Sequence, residues 1–139
     1  MDEADRYELR PVGRVESRLV DLSQAPKQAD EGAPPAWVVF DPRVAEAMHG
    51  LAVGDEIVLL TWLHAASRDT LSVHPRGDPS RPRVGVFSTR SPDRPNPIGL
   101  HRVRVLAVEP PRVRVSALEA VDGTPILDVK PVLAPVARR

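Results

Sequence analysis

The sequence predicts a mainly β protein: a small closed or partly closed β-barrel with one short helix and long proline-rich loops. Three observations carry that expectation. Short runs rich in β-branched and aromatic residues recur at roughly ten-residue spacing, divided by turn signals such as VGDE at 53–56 and VDGT at 121–124. Proline occurs 16 times in 139 residues, about twice ordinary usage, which favours loops and edges over long helices. Hydrophobic residues still make up 42% of the chain, enough for a core and too much for a disordered polymer. Residues 1–139 are therefore read as a single domain.

The elements follow in order. Residues 7–17 place Leu9, Val12 and Val15 around Pro11 and Gly13 and read as a first strand. Residues 27–35 are polar, small and proline-rich, the composition of a mobile loop. AWVVF at 36–40 reads as the second strand. In DPRVAEAMHGL, at 41–51, Asp41 can cap a helix and Pro42 suits its first position; Val44, Met48 and Leu51 share a stripe, and Gly50 can stop it. IVLLTWL at 57–63 is apolar at both parities, which predicts a central strand buried on both faces. Residues 70–74, 84–89, 100–108, 113–118 and 125–129 complete the strands. Within them HRVRV (101–105) and PRVRV (111–115) alternate arginine with valine. The valines face a core; Arg102, Arg104, Arg112 and Arg114 form an outer face, either simply solvated or a stripe that grips phosphates and that RPR at 81–83 would extend.

Several chemistries are excluded by composition. Lys plus Arg and Asp plus Glu both number 19, so attraction to a polyanion has to come from local clusters. The absence of cysteine removes disulfides, thiolate nucleophiles and cysteine-based zinc sites. The histidines, His49, His64, His74 and His101, have no ligand-like pairing, so no metal is expected. Neither GxGxxG, GxxxxGK[ST] nor GxSxG occurs, which argues against a Rossmann site, a P-loop and a hydrolase elbow. No run approaches the roughly 18 apolar residues of a membrane helix, and the acidic start MDEADRYELR lacks a signal peptide's basic and apolar regions. A cytoplasmic protein with no membrane partner is expected.

The segment SPDRPNPIG, at 91–99, is the most unusual stretch. Prolines at 92, 95 and 97 fix their own φ and push Ser91, Arg94 and Asn96 toward extended conformations. The connection is thus ordered before any ligand arrives, with the side chains of Thr89, Arg90, Ser91, Arg94 and Asn96 available to a partner. Read from its residues alone, it is either a preformed binding loop or a stiff crossover that lowers unfolded-state entropy.

GVFSTRSPDRPNPIGL (85–100) and VDGTPILDVKP (121–131), with the weaker PVGRVES and IVLLTWLH, resemble the TsaA-like domain of the TrmO methyltransferases. The resemblance covers most of the chain. It implies a small β-barrel, S-adenosylmethionine as cofactor near the interface of a homodimer, and tRNA as substrate. The reaction implied is N6-methylation of the threonylcarbamoyl-adenosine beside the anticodon. It further implies cofactor contacts from Gln28, Ala29 and Asp30, from His64 and Ala65, from Arg90 and Leu100, and from Leu118, Glu119, Asp122 and Thr124. Arg94 and Asn96 are the residues expected to face the substrate. The chain departs from the pattern in three places: Glu119 stands where Asp is expected, Arg18 and Leu19 replace an SPF or SPY step, and the sequence stops soon after DVKPVLAP, without the C-terminal domain of longer members that helps hold tRNA. No catalytic residue is assigned, because adenine N6 carries its own proton and spacing singles out no carboxylate. Two other functions suit the same residues: methyl transfer to a small molecule, and a module that binds S-adenosylmethionine without turnover.

Overall fold

The computed structural model describes residues 5–20 and 32–133. Its strands, in chain order, are β1 (Gly13–Glu16), β2 (Ala36–Phe40), β3 (Glu56–Trp62), β4 (Ser72–Val73), β5 (Val84–Gly85), β6 (Ile98–Glu109), β7 (Arg112–Val115) and β8 (Pro125–Pro131). Six of them close an antiparallel barrel in the order β1-β2-β7-β6-β3-β8, while β4 and β5 pair as a separate ribbon. The mainly β expectation therefore holds.

Period-two alternation builds the barrel wall. Ile57 and Leu59 on β3, Val103 and Val105 on β6, and Val113 and Val115 on β7 point inward, joined by Val38, Leu118 and Ile126 in one buried cluster. The arginines between those valines fall outside, as period two requires. β3 lies between β6 and β8, but in a closed ring every strand has two neighbours, so the central position expected of it has no counterpart. It is not buried on both faces: Val58, Leu60 and Trp62 are only half-buried, because a closed barrel has one interior and, among the described residues, no helical layer covers this outer wall.

Other boundaries also shift. Regular pairing in the first strand begins at Gly13, after Pro11, which has no N–H to give a ladder. A Cβ on Gly13 would stand 2.6 Å from the Val39 carbonyl oxygen, so the close approach of β1 to β2 requires glycine there. The helix is a 3-10 helix, Pro42–Met48, with Asp41 accepting from the Arg43 N–H and Pro42 opening it. Between that cap and Gly50, whose φ is +98°, there is too little chain for a stable α-helix, and short i to i+3 turns close instead. Residues 84–89 are strand only over β5 and turn as a 3-10 helix at Val86–Ser88. Of the loop expected at 27–35, residues 27–31 lie outside the described part, and Ala33 and Pro34 are buried.

Candidate functional site

The chain between β3 and β6 leaves the barrel, forms the β4–β5 ribbon and returns through the proline-rich segment. Its return is held mainly by hydrogen bonds to backbone carbonyls. Arg94 turns inward, and its guanidinium donates to the carbonyls of Val86 (2.5 Å), Thr89 (3.1 Å) and Ser91 (3.2 Å). Arg68 bridges from the outgoing limb: Nε donates to the Pro95 carbonyl at 2.8 Å and Nη2 to Asn96 Oδ1 at 2.9 Å, with the guanidinium 5.3 Å from the Trp62 ring centre. Asp93 accepts from the Ser67 N–H at 2.9 Å, and the Arg94 N–H is bonded to the Ser67 carbonyl at 3.0 Å. The two limbs are thereby tied into one rigid platform, with Pro97 buried where it rejoins the barrel.

On that platform Arg90 is exposed and bonds to none of the described residues, so its guanidinium is free to take a carboxylate in a charge-assisted fork. Asn96 is exposed with its amide nitrogen unengaged, whereas Arg94 is occupied by the loop itself. His64 and Ala65 are exposed just beyond β3. Leu100 is 46% exposed on the outer wall, opposite Leu60 of β3.

Leu118, Glu119, Asp122 and Thr124 lie on the connection between β7 and β8. Glu119 reaches His101, with Oε1 2.5 Å from Nδ1. Asp122 accepts from the Ser17 N–H at 3.0 Å and so ties the turn before β8 to the end of β1. Leu118 is fully buried, and Thr124, 2% exposed, bonds to the Val121 carbonyl at 2.7 Å. Gln28, Ala29 and Asp30 lie outside the described residues. The structure thus gathers Arg90, Asn96, His64 and Ala65 at the loop, and Glu119 against the start of β6, while Leu100 and Leu118 occupy opposite sides of the barrel wall.

A separate concavity of about 510 Å³ lies between the 3-10 helix and β3 and β8, with Val44, Met48, Leu51 and Val129 in its lining. None of the candidate residues lines it, and its polar side chains, His49, Asp55, Glu56 and Asp128, offer three carboxylates and no arginine to an anionic group, so the loop is the better candidate. The arginine face is also partly committed. Glu56 accepts from Arg102 at 2.5 Å and Arg104 at 3.3 Å, which holds its carboxyl below the usual range. Arg112 stacks 3.8 Å from the Trp37 ring centre and pairs with Glu109. Arg114 has no ion pair with a described residue, and residues 81–83 sit beside the separate ribbon, with Arg83 folded back on Ser72.

Residues 14–136 match the model of the tRNA-methyltransferase O N-terminal domain. This chain belongs to that family. Solved structures of TrmO share the fold of this domain. A protein of Methanothermobacter thermautotrophicus named "Probable S-adenosyl-L-methionine-binding protein" is 42% identical over 123 residues, 88% of each chain. The S-adenosyl-L-methionine-binding protein of Archaeoglobus fulgidus is 39% identical over 122 residues, 88% of this chain and 86% of the relative. The crystal structure of TrmO from Pseudomonas aeruginosa superposes with a TM-score of 0.76 at 29% identity, covering 94% of this chain and 58% of that one. The chain therefore spans somewhat over half of that TrmO chain.

Three residues of this TrmO-family barrel were not singled out as site residues from sequence: Thr61, His101 and Arg68. For His101 a signal existed, since it shares parity with the inward valines Val103 and Val105. Thr61 likewise shares parity with Ile57 and Leu59. For Arg68 none existed, because its partners are carbonyl and amide oxygens some 27 positions away.

Proposed function

We propose that the chain is an S-adenosylmethionine-dependent methyltransferase whose acceptor is tRNA, at N6 of threonylcarbamoyl-adenosine next to the anticodon. The observation that carries this reading is the platform at 89–97, prebuilt by Arg94 and Arg68 with Arg90 left free, in a chain that matches the TrmO N-terminal domain from 14 to 136. The names of the M. thermautotrophicus and A. fulgidus relatives support the cofactor. S-adenosylmethionine, held with its carboxylate at Arg90, would supply an electrophilic methyl group for transfer to the acceptor nitrogen, with S-adenosylhomocysteine as the leaving product and the nitrogen's proton released to solvent. Such a reaction depends more on alignment than on acid–base groups, and alignment alone is worth roughly 7–11 kcal/mol. Arg90 pairs with the cofactor carboxylate, and Asn96 faces the acceptor.

The working unit is a homodimer. Leu71 (70%), Phe87 (86%), Ile98 (39%) and Leu100 (46%) are exposed apolar residues on the ribbon, the following turn and the outer wall, and a second copy seated there would cover them. No helix among the described residues is long and apolar enough to cross a membrane, and the site of action proposed is the cytoplasm, where tRNA is.

One observation favours a second reading. The relatives that this chain matches over 86–88% of their own length are named for binding, not for transfer. A binding module would hold S-adenosylmethionine and release no S-adenosylhomocysteine. Incubation with methyl-labelled cofactor and bulk tRNA separates the two: label in threonylcarbamoyl-adenosine is the expected result, label in small molecules alone moves the acceptor, and no turnover in whole-cell extract leaves only the binding module.

A further inference from the structure

Behind the platform lies a buried polar chain that joins three separate segments of the barrel. Thr61, on β3, is 0% exposed and its Oγ1 is 2.8 Å from His101 Nε2. His101, on β6, is 6% exposed and its Nδ1 is 2.5 Å from Glu119 Oε1. A carboxylate only accepts, so Nδ1 carries a proton; in the neutral ring Nε2 then accepts from the Thr61 hydroxyl. Room for this pairing comes from Gly99, opposite Thr61 in the ladder. A Cβ there would stand 2.4 Å from Thr61 Oγ1 and 2.7 Å from His101 Nε2.

A buried chain of this kind needs a reason, because an all-apolar interior would hold the barrel at least as well. Its outer end supplies one. Glu119 Oε1 is taken by His101, while Oε2 has no hydrogen bond to a described residue. The side chain is 16% exposed. One carboxylate oxygen is thus clamped from behind and the other is left open among the described residues on a partly exposed side chain, the arrangement by which an orienting histidine fixes a ligand-binding carboxylate.

We propose that Thr61 and His101 are positioning residues that hold Glu119 so that Oε2 accepts a hydrogen bond from a donor group of the cofactor, either a ribose hydroxyl or the ammonium. This rests on the reading that S-adenosylmethionine binds at this end of the barrel. Neither positioning residue touches the ligand. Their effect is to fix one rotamer of Glu119 in advance and to register the start of β6, and with it the returning platform, against β3.

The test is calorimetric titration of the full chain with S-adenosylmethionine and with 5′-methylthioadenosine, which keeps the ribose hydroxyls and lacks the ammonium. Thr61→Val should weaken S-adenosylmethionine binding on the order of ten-fold, and Thr61→Ser, which keeps the hydroxyl, should restore it. An equal loss for both ligands assigns Oε2 to a ribose hydroxyl; a loss confined to S-adenosylmethionine assigns it to the ammonium. Wild-type affinity in Thr61→Val, or a Thr61→Ser as weak as Thr61→Val, overturns the relay. A wild-type chain that binds neither ligand overturns the cofactor reading first and the relay with it. Independently of any variant, the nitrogen-15 spectrum of the His101 ring should show Nδ1 protonated and Nε2 bare, with a shift on adding S-adenosylmethionine; a ring protonated only at Nε2 overturns the relay.

Discussion

Arg90 and Arg94 are four positions apart, yet the structure gives them opposite tasks. Arg94 satisfies three carbonyls inside the loop, while Arg90 projects from it unbonded to described residues. Arg94→Ala should therefore cost about 1.5–3 kcal/mol of stability, the usual scale for charged hydrogen bonds, and weaken cofactor binding with it. Arg90→Ala should leave thermal unfolding unchanged and weaken cofactor binding alone by about 1.5–3 kcal/mol. Thermal melts beside titrations distinguish them, and a melting point lowered equally by both would show that Arg90 too is scaffold. The stiffness of this loop was legible from Pro92, Pro95 and Pro97. Which arginine faces inward was not, because the 3-10 turn Val86–Ser88 aims the accepting carbonyl of Val86, and that turn looked like strand in the sequence. Glu119 was legible only through the family resemblance, and His101 beside it only through strand parity.

Among the elements, the 3-10 helix is the clearest case of a signal read correctly in its cap and wrongly in its type. Asp41 has its carboxyl lowered from 3.8 to about 2, first by the Arg43 side chain and then by the Arg43 N–H. A folded value below the unfolded one means that this cap stabilises fully above the unfolded value and loses its effect as pH falls through about 2. Melting temperature followed from neutral pH to pH 2 should thus fall more steeply over the acid end in wild type than in Asp41→Asn; parallel curves would remove the cap from the account. On the outer wall of β6 and β7, valine–arginine alternation was legible outright, but the pairing of Arg102 and Arg104 with Glu56 depends on β3 lying next to β6, a contact distant in sequence. If tRNA docks on this wall, neutralising Arg102, Arg104, Arg112 and Arg114 together should flatten the salt dependence of binding by roughly 3 to 4 in slope. Cofactor affinity should not change. An unaltered slope would move the docking surface elsewhere.

At the scale of the whole molecule, a small barrel was legible from many short strands divided by turn signals, whereas its full closure was left open, because β3 is apolar at both parities and does not reveal which face turns inward. The ribbon was not legible: β4 and β5 carry the same local pattern as barrel strands, and only the prolines around them keep them out of the ring. The ribbon and outer wall together predict a dimer, so light scattering with cofactor present should give twice the chain mass of 15.2 kDa at micromolar concentration. A single-chain mass there would contradict the shared site. The central claim, a cofactor site built on the platform at 89–97, is tested most directly by titrating the chain with S-adenosylmethionine in a calorimeter. Saturable binding at one site per chain in wild type, strongly weakened in Arg90→Ala, is the predicted result. No binding heat at any temperature, or full affinity in Arg90→Ala, would contradict it.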